Sequence, residues 1–238
     1  MEITLDRNLF MQIGLDSGAL TMLGTVVHSL REAGEYRGIV RRSANPEAAF
    51  YISADKNSPV AQVNIDLATL ANPSAGSQAC CGVAEKNRFV VNPKGYILFH
   101  VSGGEGGYSV HVRKAEEAAD TKIYDTRELQ EGDVFTATLL RPGTYSVSNL
   151  LTKSKGEITV SYPKRGDTAY RPPSPHVVEC TAHGIESNRV ELKPGQALNF
   201  HIKTPSRIKI ELIRPDDGPG QPRNASVRGR KKPSLSDS

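Results

Sequence analysis

Residues Leu139–Val160 read LLRPGTYSVSNLLTKSKGEITV, and this stretch decides the fold class. Pro142-Gly143 ends one extended run and starts the next, because Pro fixes φ and Gly tolerates conformations closed to other residues. Thr144-Tyr145-Ser146-Val147 alternates polar and bulky residues, the period of a half-buried strand. After a loop, Glu157-Ile158-Thr159-Val160 supplies a second run. Two strands and a connecting loop are the expectation.

The same signals spread outward. Phe89–Val91, Tyr96–Val101, Tyr108–Arg113, Ile123–Tyr124 and Val134–Leu140 are β-rich runs. Asn92–Gly95, the glycine-rich Ser102–Gly107 and Glu131-Gly132-Asp133 fall between them. Runs of ~5–7 residues separated by turns predict an antiparallel Greek-key sandwich over residues 83–163. Upstream, residues 1–75 form an N-terminal α/β segment. Leu20, Leu23, Val27 and Leu30 make a stripe at helical spacing, with Asp16 or Ser17 as cap and Gly34 as stop. Gly24 and Thr25-Val26-Val27 weaken that helix, and a strand through Thr21–Leu30 is the alternative. Tyr36–Arg41, Ala49–Ala54 and Val60–Leu67 follow as strands. Ala71–Gly82 is a small, polar loop and the expected domain boundary.

Downstream, Lys164–Pro175 is a Pro-rich, charged linker. Residues 176–213 form a second small β unit, from Val177–Cys180, Arg189–Leu192, Ala197–Ile202 and Arg207–Ile213. One echo ties this unit to the first. Asn87-Arg88, Pro93 and Phe99-His100-Val101 recur 101 residues later as Asn188-Arg189, Pro194 and Phe200-His201-Ile202. Duplication and shared turn chemistry both account for it.

Charge is unevenly placed. Of the net +4, the segment 214–238 carries six basic and three acidic residues, leaving the body near neutral. A neutral body argues against a broad nucleic-acid or membrane face. Nucleic acid is therefore expected only at the basic tail, through Arg228, Arg230, Lys231 and Lys232, in a segment with too few apolar residues to fold. No basic region precedes an apolar run at the start, and no run approaches the ~20 apolar residues of a membrane span. The expectation is a soluble, cytoplasmic protein whose partner is another protein or a second copy of itself. Cys80, Cys81 and Cys180 are an odd set with an adjacent pair, read as reduced thiols or as one bridge to Cys180.

Residues 83–160 resemble the cupredoxin family. The matching features are the strand and loop of Tyr96–Gly107, the strand from Tyr108-Ser109-Val110, Leu129–Phe135 leading into PGTY, and the closing GEITV. The resemblance implies a copper site of two His, one Cys and an axial Met. Here those positions fall on Tyr108, Asn149 and the loop Leu150–Lys155, which hold no such ligand. Lys153 and Lys155 would repel a cation. A sandwich without its copper site is what this implies, and no cofactor is expected.

Other constellations are sparse. His176, Cys180 and His183 have chelating spacing, and with His100 and His111 they form the alternative of a non-standard metal or redox site. Gly103-Gly104-Glu105-Gly106-Gly107 lacks the Lys-Ser/Thr of a phosphate loop. No nucleophile motif is present, so an enzyme would need a site spread over loops. The expected function is a non-enzymatic binding, scaffold or assembly module. Its candidate contact residues are Gly103, Gly104, Glu105, Tyr108, Asn149, Lys153 and Lys155.

Overall fold

Two Gly-x-Tyr sequences, Gly34-Glu35-Tyr36 and Gly143-Thr144-Tyr145, open strands with the same geometry. Gly34 and Gly143 take φ of 152° and 148°, a region that favours glycine. Two residues on, the Tyr36 hydroxyl donates to the Glu32 carbonyl at 2.9 Å, and the Tyr145 hydroxyl to the Arg141 carbonyl at 2.7 Å. This matched pair of corners is the first sign of a two-fold repeat.

The computed structural model describes residues 9, 12–43, 45–72, 87–115, 123–163, 170–216 and 218. Among these, the strands in chain order are β1 (Gly14–Asp16), β2 (Gly24–His28), β3 (Gly34–Arg42), β4 (Asn45–Ala54), β5 (Gln62–Asp66), β6 (Arg88–Val91), β7 (Tyr96–His100) and β8 (Tyr108–Lys114). Then come β9 (Tyr124–Asp125), β10 (Val134–Thr138), β11 (Gly143–Asn149), β12 (Lys155–Val160), β13 (His176–Thr181), β14 (Gly184–Ile185), β15 (Arg189–Leu192), β16 (Ala197–Ile202) and β17 (Ile208–Pro215). A short helix, α1 (Leu67–Ala71), follows β5 and is capped by the Asp66 carboxylate. The protein is mainly β, as its sequence indicates.

Three sheets result. Two have five strands, in the orders β6-β4-β3-β8-β9 and β15-β12-β11-β17-β1. The third has seven, in the order β14-β13-β16-β10-β2-β7-β5. Shifting from β2–β8 to β10–β17 maps one five-stranded sheet onto the other and folds the seven-stranded sheet onto itself. The direct pair Val26–Phe135 sits at its centre. The echo around Phe99 and Phe200 belongs to this repeat, because each Phe lies beside the central strand of its own half.

The halves also exchange a strand. β1 pairs with β17, and β9 pairs with β8, so each half lends its leading strand to the other's last strand. The exchanged ends are built alike. Asp16 Oδ1 accepts from Gly18 N and Asp125 Oδ1 from Arg127 N, both at 2.8 Å. Ser17 Oγ accepts from Ile208 N at 3.1 Å, and Thr126 Oγ1 from Val110 N at 3.0 Å. The chain then returns to its own half, where Leu20 bridges to Tyr108 and Leu129 to Ser206. Asp16 also takes a two-point contact from Arg207, at 3.1 and 2.9 Å. Asp16→Ala is expected to cost about 1–3 kcal/mol, since it removes charge-assisted bonds and leaves the Gly18 amide unpaired. Equilibrium urea unfolding measures this, and an unchanged midpoint would refute it.

Both smaller sheets pack on the same face of the large one. His28 of β2 stacks on Tyr124 of β9 at 3.9 Å, and Phe99 of β7 meets Phe50 of β4 and Tyr124 at 6.2 and 5.8 Å. Gly24, on the same side of β2 as His28, faces Leu15 of β1. The buried apolar residues form one cluster drawn from all three sheets.

Several expectations change. Residues 17–34 hold no helix among the described residues. Leu20, Val26 and Leu30 are buried with His28, and the alternation of β2 wins over the helical stripe because Gly24 and the β-branched run disfavour a helix. The sheets are mixed: β4–β6, β5–β7, β12–β15 and β13–β16 are parallel pairs. Strand pairing also crosses the boundaries drawn from composition. β6 pairs with β4, β7 with β2 and β5, and β12 with β15. Residues 83–160 therefore hold the end of one half and the start of the next. Residues 164–169 of the linker Lys164–Pro175 and residues 73–82 of the loop Ala71–Gly82 lie outside the described residues.

Candidate functional site

The outer faces of the two small sheets occupy the same lattice but carry different chemistry. On β3, Tyr36 and Val40 point inward, so Arg37 and Arg41 point outward. Register aligns Arg37 with Tyr51 of β4 and Arg113 of β8, and Tyr51 with Arg88 of β6. A straight row Arg88–Tyr51–Arg37–Arg113 crosses four strands. The equivalent row in the other half is Arg189–Glu157–Ser146–Glu211. One row thus holds three cations and an aromatic ring, the other one cation and two carboxylates.

Local contacts shape the basic row. The Arg88 guanidinium sits 5.7 Å from the Tyr51 ring centre and 3.1 Å from Glu35. Arg37 and Arg41 have no ion-pair partner among the described residues, and Arg37 Nε is buried there without a hydrogen-bond acceptor. At the far end of β3, Arg127 donates to the Ser43 carbonyl at 2.7 Å and to Ser109 Oγ at 3.1 Å. Arg42 binds Glu105 and lies 6.0 Å from the Tyr108 ring centre. The glycine-rich loop is thereby fastened to the rim of the basic face.

The residues expected from sequence scatter. Gly104 and Glu105 line a depression with Gln12, Ile13 and Thr21. Gly103 has open space around it, and Tyr108 is buried on β8 with its hydroxyl 3.3 Å from Asn72. Asn149, on β11 of the other half, is fully buried. It donates to Ser206 Oγ at 2.9 Å and accepts from the Leu151 and Arg207 amides at 3.1 and 3.2 Å. It is a corner brace. Tyr108 and Asn149 thus sit in different sheets, while Asn149, Lys153 and Lys155 share a depression with Lys209 and Glu211. His100 lies on β7 and His111 on β8, in different sheets. The tail residues Arg228, Arg230, Lys231 and Lys232, and the thiols Cys80 and Cys81, lie outside the described residues.

His176 and Cys180 share one side of β13, and His183 is exposed in the following turn. Among the described residues no group of three or more His, Cys, Asp or Glu is placed to hold a metal ion. Cys180 is fully buried, and burial pushes its thiol up to about 12. With the thiolate suppressed, Cys180 is expected to resist alkylation at pH 8 in the native protein and to react in denaturant. Peptide mass mapping checks this, and labelling of the native protein would contradict it.

One buried polar cluster has no counterpart in the sequence expectations. His28 Nδ1 and Asp133 Oδ1 are 2.7 Å apart, and Asp133 Oδ2 accepts from Gln130 N at 2.7 Å. His28 Nε2 and the Tyr124 hydroxyl are buried without partners among the described residues. Burial raises the Tyr124 pKa well above its usual value, and the charges of Asp133 and then Asp125 add to this. The equivalent cross-strand pair is Gly24–Ala137, so this dyad exists on one side only. His28 was hidden within an apolar alternation and Asp133 within a turn signal. No family model, curated protein or solved structure matches the chain.

Proposed function

We propose that the protein is a non-enzymatic binding or assembly module, built on a mainly-β scaffold without a blue-copper site. One observation carries this reading: two sheets of matching strand order and register present opposite charge on their outer rows. Interior positions answer to packing, whereas outward positions are free to answer to a partner. The basic face, with the Gly104–Glu105 loop at its rim, is the side that contacts the partner. Phosphodiester, carboxylate and sulfate groups all suit arginine forks.

The test is transplantation of the other half's row. The triple variant Arg37→Ser, Tyr51→Glu, Arg113→Glu carries residues that the same lattice already holds in the second half, so it keeps the fold. Immobilised wild-type protein is expected to retain an anionic macromolecule, or a second copy of the chain, that the variant releases. Equal retention by both, or a wild-type protein that sediments alone and retains nothing, would end this reading.

A further inference from the structure

We propose that the Arg88–Tyr51–Arg37–Arg113 row binds the phosphodiester chain of a single-stranded nucleic acid. The inference rests on the binding-module reading and names its partner.

Three observations select this ligand. First, the cations lie on a sheet, not along a flexible tail. Strands lie ~4.8 Å apart, so Arg113 and Arg37 stand one strand spacing apart and Arg37 and Arg88 two. Second, the position between Arg37 and Arg88 is a tyrosine. Sequence-tolerant recognition of single strands combines a cationic track with aromatic rings and guanidinium planes on which bases stack. An acidic peptide would use the cations but has no call on the ring. The Arg88 guanidinium over Tyr51 extends that stacking surface to the sheet edge. Third, Arg37 has no ion-pair partner among the described residues, so the charge of its guanidinium is open to a phosphate.

The second half supplies a built-in contrast. Its row has Ser146 for Arg37, Glu157 for Tyr51 and Glu211 for Arg113, which would repel the same chain. One strand-binding face per molecule is therefore expected.

The experiment is fluorescence anisotropy of labelled twenty-nucleotide oligo-dT and oligo-rU with the full chain, from low to moderate salt. Arg37→Ser with Arg113→Glu is expected to weaken binding by at least about tenfold and to flatten the log–log salt slope by about 1.4, the loss of two phosphate contacts. Tyr51→Ala is expected to lose about tenfold while Tyr51→Phe stays within about twofold, the mark of stacking. Replacing Arg228, Arg230, Lys231 and Lys232 together by alanine separates the tail from the sheet and is expected to preserve most of the binding. The converse variant, Ser146→Arg, Glu157→Tyr, Glu211→Arg, is expected to raise the stoichiometry from one to two.

Three results would overturn the proposal: no oligonucleotide binding at low salt, equal binding by the row variants, or binding abolished by the tail variant alone. Row-dependent capture of polyglutamate without oligonucleotide binding would overturn it too, while leaving the module reading intact. Thermal melts of each variant show that the fold persists.

Discussion

Replacing Gly38 by valine is expected to destabilise the protein by about 3 kcal/mol, the upper range for forcing side-chain volume into a packed core. Gly38 faces Phe50 across β3 and β4. A Cβ at Gly38 would lie 2.0 Å from the end of the Phe50 ring, which is fully buried and held against Phe89 and Phe99. The ring cannot withdraw without disturbing both neighbours. The repeat shows how the clash is relieved. The equivalent pair in the second half is Val147 opposite Gly156, so the large and small residues have traded strands. The Val147 Cγ1 lies 3.1 Å from where a Gly156 Cβ would be, so that half is closed to a second large residue as well. Gly38→Val combined with Phe50→Gly is therefore expected to be more stable than the sum of its single changes, by at least about 1 kcal/mol. Denaturant midpoints of the four proteins in the cycle measure this. Additive effects would show that the two halves do not share a packing rule.

Asp133→Ala is expected to have the second large effect, about 3 kcal/mol. His28 is 8% and Asp133 2% exposed, so deleting the carboxylate strands a buried imidazole and the Gln130 amide together. His28 also stacks on Tyr124, so its displacement would loosen the exchanged strand β9. Combining His28→Leu with Asp133→Ala is expected to recover most of the loss, because replacing a whole buried polar pair by apolar groups avoids the orphaned partner. A double variant less stable than Asp133→Ala would mean that the pair itself organises the junction of the halves. Thermal and urea unfolding of the three variants decides between these outcomes.

The class of fold was legible because strand alternation and turn residues are local. Pro142-Gly143, Tyr145 and the runs around Phe99 and Phe200 all lie where those signals place them. Pairing was not legible, because it is settled by contacts far apart in the chain. The repeat illustrates the difficulty. Asp16-Ser17, Leu20, Gly34 and Tyr36 recur as Asp125-Thr126, Leu129, Gly143 and Tyr145 at a spacing of 109, while the echo at Phe99 has a spacing of 101. Loops of unequal length between strands blur one repeat into two unrelated coincidences. The candidate face was hidden for the same reason. Arg37, Tyr51, Arg88 and Arg113 are scattered among carboxylates in sequence, and only register aligns them. Body-wide neutrality concealed it, since carboxylates spread over the rest of the body, Glu157 and Glu211 of the other row among them, offset its charge.

The exchange of leading strands sets an order of events during synthesis. β9 follows β8 directly, so the first small sheet can close soon after residue 125 leaves the ribosome. β1 is made long before its partner β17: the Asp16–Arg207 contact spans 191 residues. At ~5–20 residues per second, β1 waits roughly 10–40 s with its backbone edge unpaired. During that interval its hydrogen-bonding groups are open to any passing strand, including the β17 of a second nascent chain. Neighbouring ribosomes on one message would thus be where entangled pairs of this protein arise, and a holdase that covers β1 would prevent them.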